Sequence, residues 1–572
     1  MKKYRYKNIF TLAIFLLIAA TSTFAQPMVG NYTINSNQAT GGTNFQTFFE
    51  FSTALSTNGI SGNVVADVVM GSGPYDEQVV FNTVPGAADT ASVTINGNGE
   101  TITAFTTTTD RYVIRLTDVQ YFGITNLRVV RDTTSSGGFY GIHIFNTGRN
   151  ISITNCHVDM SGTTSTLYGA YVASGSETSI LTTGDFHDLT FFNDTATGGG
   201  YGVSVFGLVS DLASNIVISN NTFYDFHSNG VYLRETDGAI INDNYFDKRT
   251  SNITSVNAIQ IAQAANINSL IFGNFIKVSQ VDNGSMPFRG IYLFNGTGHR
   301  VFNNVIHDVN LTSGNFTAIE VRTAGTAPEI YFNTISLDNP NTSSGELFGI
   351  AEELSNTNSI IRNNIISISQ PTIAVKAGLV LGGSSTPTTA LNSDYNDIWV
   401  PGGNVAMKAT IATIPYPTLT DWQTASGQDM NSQNVDPGFV SQFIMIPTNS
   451  LLDNTGVVIP TVLTDITGAL RNSPPDMGAF EFLGTGVSQL SKNNQLMVYP
   501  SPVNSKLNVK LNSGGQASVV SVYSMKGELV LSRTVPGIED EVSFDVSDLA
   551  NGVYTIKTFQ SDRIATGRFI KN

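Results

Sequence analysis

The residues whose types could do chemistry fall at repeating positions. Tyr232 and Arg234 stand two apart in "GVYLRETDGAIINDNYFD" (230–247), and Tyr292 and Phe294 stand two apart in "GIYLFNGTGHRVFNNVIHD" (290–308). Glu320 and Arg322 repeat the spacing in "AIEVRTAGTAPEIYFNTISLD" (318–338), and Glu353 takes the equivalent place one phrase later. Aromatic rings stack on the apolar faces of sugar rings, while arginine and carboxylate groups exchange hydrogen bonds with hydroxyls. Tyr232, Arg234, Tyr292, Phe294 and Arg322 therefore suit a sugar chain. Glu320, Glu353, Arg234 and Arg322 are the groups able to act as acid, base or charge stabiliser, although spacing sets no second carboxylate opposite either glutamate. The same residues also serve packing alone, since stacked outward Tyr and Phe stabilise a ladder and Arg and Glu keep its face soluble.

What must position these residues is a repeat. One mark is Asn-x-apolar at Asn221, Asn244, Asn274, Asn304, Asn333, Asn364 and Asn396. A second, independent mark is a small residue at Gly141, Gly169, Gly202, Gly230, Ala258, Gly290, Ala318, Gly349 and Gly378. Both recur about every 30 residues, and two phased marks over so many periods identify a stacked array. Between the marks apolar residues alternate with period two, as in Ile142/Ile144, Val231/Leu233 and Ile291/Leu293, so each unit is made of short strands. Such a unit cannot bury its apolar face alone, which predicts an all-β, right-handed parallel β-helix with the asparagines stacked at a turn. The residue two after each small one then forms an outward column: His143, Tyr171, Ser204, Tyr232, Gln260, Tyr292, Glu320 and Ala351. Two further on, Phe145, Ala173, Phe206, Arg234, Ala262, Phe294, Arg322 and Glu353 form the next.

Composition narrows the partners. Residues 26–484 carry 16 Lys and Arg against 37 Asp and Glu, a balance that repels phosphate backbones and excludes nucleic acid as a natural partner. It also lacks the positive charge with which a lyase would neutralise a polyuronate: Lys248, Lys277, Lys376 and Lys408 do not cluster. No cofactor is evident and no metal ligand set is read, with calcium left open. Of the six histidines, His157, His187, His227 and His307 fall near unit turns and read as turn-filling polar residues. The single cysteine, Cys156, reads as a small buried residue. The opening "MKKYRYKNIFTLAIFLLIAATSTFAQ" has a basic start, a short apolar run and small residues before Gln26, the pattern of a cleaved signal peptide over residues 1–25. No later run is apolar and long enough to span a bilayer, so no transmembrane span is expected in the mature chain, which reads as a monomer.

An array needs different sequence at its ends. Residues 26–60 read as a cap with a helix in "NFQTFFEFSTALSTNG", started by Asn44 and burying Phe45, Phe48, Phe49 and Leu55. Repeats follow over 61–410 and a closing segment over 411–484. The span 30–482 resembles the pectate-lyase-like right-handed β-helix proteins secreted by Bacteroidetes, and Asp465, Arg471, Asp476, Gly478 and Glu481 are similar to the terminal segment of such repeats. The resemblance implies architecture. The Asn-Thr-Asp, Asp-Asp, Gly-His-Gly and Arg-Ile-Lys signatures of polygalacturonase-like hydrolases are missing, so no catalytic residue carries over.

Residues 485–572 change character, with short alternating strands between Gly, Asn and Asp turns that predict a small Ig-like β-sandwich. Tyr499-Pro500-Ser-Pro502, Lys526-Gly527, Asn551-Gly552-Val-Tyr554 and the terminal Lys571 resemble, in order, the C-terminal sorting domain of the type IX secretion system, with Ser501 where that domain usually has Asn. The resemblance implies delivery through the periplasm and outer membrane to the cell surface or beyond, with the secretion machinery as a partner. A glycan-binding protein, a polysaccharide lyase or hydrolase working in a groove, and an adhesin or stalk all fit this sequence. The insertions 158–169 and 277–290 would have to wall any cleft.

Overall fold

Alternation at period two turns one side chain in and the next out, and the computed structural model shows the solenoid that follows. It describes residues 26–572 except 136, 251–254, 264, 280–286, 323–326, 354–358, 383–390, 410–412, 442–444, 483–495, 512–517, 525–528, 536–540 and 561–562. The expected signal peptide and Gly527 lie outside the described residues. Each turn contributes three strands, for example Phe288–Phe294, Arg300–Phe302 and Val305–Val309. Each strand pairs in parallel with its equivalent one turn on, so Ile259, Ile291, Ile319 and Ile350 stack as one inward column. These columns are fully or almost fully buried and merge into one continuous core from Met28 to Trp422. About 12 right-handed turns result.

The turn before each third strand explains the asparagine mark. The residue preceding it adopts the left-handed conformation at Asn193, Asn220, Asp243, Asn303, Phe332, Asn363 and Tyr395. That bend aims the next backbone N–H and the asparagine amide along the axis. Asn304 Nδ2 donates to Asn333 Oδ1 at 2.9 Å and to Ile271 O at 2.9 Å, while its Oδ1 accepts from Asn274 N and Nδ2 at 3.1 and 2.9 Å. The same bonds repeat from Asn221 to Asn396, all buried, so every amide is satisfied by its neighbours.

One unit departs from the predicted register. Tyr140 pairs with Gly169 and Gly169 with Tyr201, so the small-residue column passes through Ala170, not Gly169. A one-residue slip exchanges faces. Tyr171 therefore points inward, its hydroxyl donating to Cys156 O at 3.1 Å, and Ala173 joins the core, while Val172 and Ser174 take the outward places. The cap also differs: the helix Phe48–Asn58 starts at Thr47, whose side chain accepts from Glu50 N, and it buries Phe51 while Phe49 stays exposed. Asn44 instead pairs in a short strand and donates from Nδ2 to Gln38 O.

At the far end, the helix Leu419–Ser426 lays the fully buried Trp422 over the core, its indole donating to Asp429 Oδ2 at 2.8 Å. Residues beyond it run back along the flank of left-handed turns, where Arg471 donates to Asn303 Oδ1 at 2.7 Å and Ala479 N donates to Thr334 Oγ1. The tail is a sandwich of a three-stranded and a four-stranded antiparallel sheet around Leu507, Val520, Val522, Phe544 and Ile556.

Candidate functional site

The outward columns are open only in part. At the front, His143, Val172 and Ser204 are fully buried, and Ile180 packs with Tyr140, Val172 and Tyr201. The wall is thus the 175–184 connection, whereas much of 158–169 is spent in strands and 280–286 lies outside the described residues. Tyr232 is half-buried, stacked on Tyr201 at 5.9 Å and edge-on to Phe206, over which Arg234 lies at 5.2 Å. These two residues form a packed patch apart from the next cluster.

That cluster is built on the strands Phe288–Phe294, Phe316–Arg322 and Leu347–Glu352. Register places Tyr292 beside Glu320 and Phe294 beside Arg322. Tyr292 is 7% exposed, with Arg289 over its ring at 4.6 Å, so it supports the site from below and is not an open stacking platform. Phe294 is half-buried under Arg322, whose guanidinium lies 5.2 Å from the ring and whose Nε contacts Glu353 Oε2 at 3.2 Å. Glu320 is 5% exposed and accepts from Arg289 Nε at 2.7 Å through Oε2.

Oε1 of Glu320 meets no donor, and the Glu353 carboxylate lies within hydrogen-bonding reach. A neighbouring carboxylate disfavours the charged form of the other. Burial pushes the Glu320 carboxyl up to about 7, Arg289 opposes this, and Glu353 adds to it. Burial also raises the Tyr292 hydroxyl to about 12, with the two glutamates adding. The cluster is therefore a row, Arg289, Glu320, Glu353, Arg322, in which each glutamate is held by one arginine. Sequence spacing named every member except Arg289, which precedes the small-residue mark and so lay outside the columns.

The other expected residues scatter. Cys156 is buried, and its burial pushes the thiol well above its ordinary range. His157 contacts Thr197 Oγ1 at 3.3 Å, and His227 contacts the buried Lys248 Nζ at 3.4 Å. His307 is buried near the ring of Phe275. His187 meets two carboxylates, those of Asp185 and Asp211. In the tail, Tyr554 stacks on Phe569 at 5.3 Å and donates to Ala550 O, Gly552 pairs with Lys571, and Ser501 Oγ accepts from Ile570 N at 3.0 Å. Tyr499 stays partly exposed at its strand end, in the stretch it shares with Pro500 and Pro502.

Residues 91–335 match the family model described as the right handed beta helix region. This is a right-handed parallel β-helix protein. Residues 497–572 match the secretion system C-terminal sorting domain, and the chain is exported by the type IX system to the cell surface or extracellular space. Among the described residues no helix is long and apolar enough to cross a membrane. No curated protein matches the sequence. Among solved structures it is similar to a GH136 lacto-N-biosidase from Eubacterium ramulus, at 11% identity over 62% of this chain and 67% of that one, TM-score 0.27. It is also similar to PfbA, a surface adhesin of Streptococcus pneumoniae, at 13% identity over 64% and 90%, TM-score 0.29. A tailspike protein of bacteriophage CBA120 aligns at 10% identity over 95% and 76%, TM-score 0.18.

Proposed function

We propose that this exported β-helix binds extracellular glycan on the face formed by Phe294, Arg322, Arg289 and the Glu320–Glu353 pair. The observation that carries the reading is the row of donors and acceptors beside a partly open aromatic ring. The two carboxyls accept, Glu320 also donates while it holds its proton, the two guanidinium groups donate, and Phe294 offers an apolar edge, which together match a sugar's alternating hydroxyls and C–H face. Arg322 is exposed and can move to meet a ligand.

Hydrolysis is the second reading, favoured by Glu320 keeping a proton near neutrality. Glycosidase carboxyls stand about 5–5.5 Å or about 6.5–9.5 Å apart, flanking the scissile bond, whereas these two lie side by side on one face, each held by an arginine, Arg289 on Glu320 and Arg322 on Glu353. Binding is therefore the stronger conclusion. The test is a panel of neutral and acidic polysaccharides, with and without calcium, scored by calorimetry and by release of reducing ends and unsaturated uronate. Binding that falls about tenfold or more in Phe294→Ala and Arg322→Ala, with no new ends, is the expected result. Reducing ends lost in Glu320→Gln would establish hydrolysis instead, and silence on every polysaccharide from folded protein would leave the adhesin or stalk reading in its place.

A further inference from the structure

A second cluster lies on a different face, on the strand Asp185–Phe192. Asp185 and His187 are two apart and share one side of that strand. Asp211 comes from the tight turn closed by the Leu208–Asp211 bridge. His187 Nδ1 is 2.7 Å from Ser214 Oγ, which stands beside it in register. That contact turns the other ring nitrogen, Nε2, toward the two carboxylates, 3.0 Å from Asp185 Oδ1 and 3.7 Å from Asp211 Oδ1. Nε2 is buried and makes no hydrogen bond at those distances. A nitrogen held between two carboxylate oxygens without bonding either is arranged for a cation that all three share.

We infer that Asp185, His187 and Asp211 form a binding site for a divalent transition metal of the Zn²⁺ class. One nitrogen and two oxygens, all within 4.8 Å of one another, make the donor set. A tetrahedral ion with bonds of about 2.1 Å holds its ligand atoms about 3.4 Å apart, and the two measured separations from Nε2 bracket that value. An imidazole donor favours Zn²⁺ over Ca²⁺, whose ligands are oxygens. The surroundings fit as well. Ser214 fixes the ring through Nδ1, as an outer hydrogen bond orients a metal-bound histidine. Arg149 Nη2 donates to both oxygens of Asp185, at 2.9 Å to Oδ1 and 2.8 Å to Oδ2, so a metal would replace the Oδ1 contact while Oδ2 keeps its arginine. Asp211 is largely exposed, which leaves a coordination position open to water. Cys156 is buried elsewhere in the core and offers no competing thiolate.

The test is equilibrium dialysis of the full chain, stripped with chelator, against Zn²⁺ and separately against Ca²⁺, with bound metal counted by elemental analysis. One Zn²⁺ per chain is expected, with affinity falling at least tenfold in Asp211→Asn and in His187→Ala. Thermal unfolding gives an independent readout, because Zn²⁺ should raise Tm in the wild type and not in either variant. Asp211 is exposed, so Asp211→Asn keeps the fold even if His187→Ala weakens it. No bound Zn²⁺, undiminished binding by Asp211→Asn, or preference for Ca²⁺ over Zn²⁺ would each overturn the site.

Discussion

Replacing Glu320 by Gln tests the raised Glu320 carboxyl directly. Burial, with Glu353 adding to it, pushes the folded Glu320 carboxyl up to about 7 from an ordinary 4.5. A folded value raised in this way means the native state keeps a proton that the unfolded chain releases. Stability is therefore fully present below about pH 4.5 and lost as pH climbs from there to 7. At about 1.4 kcal/mol per unit, the loss across that window is about 3 kcal/mol. Gln cannot titrate, and its amide N–H stands where the proton stood, facing Glu353. The stability of Glu320→Gln relative to wild type should thus rise by about 3 kcal/mol between pH 4.5 and 7.5. Any constant cost from weakening the bond to Arg289 leaves that slope unchanged. Urea unfolding followed by circular dichroism at half-unit pH steps measures it. Other buried carboxyls are raised too, Asp397 to about 8 and Asp476 to about 7, but they titrate in both proteins and cancel in the difference. A difference flat with pH, or one favouring the wild type as pH rises, would refute the raised Glu320 carboxyl.

The asparagine ladder supports two further expectations. Asn304→Ala removes the side chain that bonds two neighbouring amides and leaves buried partners unsatisfied, so it should cost roughly 2–4 kcal/mol in urea unfolding, with the loss independent of pH. Asp194 holds the ladder position before Asn221: its Oδ1 accepts from Cys156 N at 2.7 Å, Asn221 Oδ1 accepts from its N–H, and its Oδ2 has no hydrogen-bond partner. Burial holds its carboxyl well above the usual range, so the folded state keeps it protonated. Asp194→Asn supplies the missing donor without a proton to lose. It should stabilise the protein at pH 7, and progressively less as pH falls.

How much of this could be read in the residues depends on whether the signal is periodic. The inward columns and the ladder follow from chemistry repeated at one spacing, so alternation and Asn-x-apolar were enough to place them. Asp194 escaped because it fills an asparagine's place with a different side chain, and only the following Thr195 matches the pattern after Asn221. The Gly169 slip had a similar cause. Two small residues, Gly169 and Ala170, stand side by side, both satisfy the mark, and choosing the first turned Tyr171 and Ala173 outward when packing needs them inside. The Glu320–Glu353 pair is a third case. A column reading compares a residue with its neighbour one turn away, and there Glu320 faces Ala351. The pair is diagonal, one turn on and two residues along, a separation of about 7–8 Å between backbones that two glutamates can close and shorter side chains cannot. Arg289 completes it from one position before the repeat mark, and Asp211 reaches His187 from a turn with no repeat at all. In a solenoid the periodic residues build the rod, and the chemistry gathers where long side chains reach across the period. Candidate sites in such chains are therefore better sought on the diagonals than down the columns.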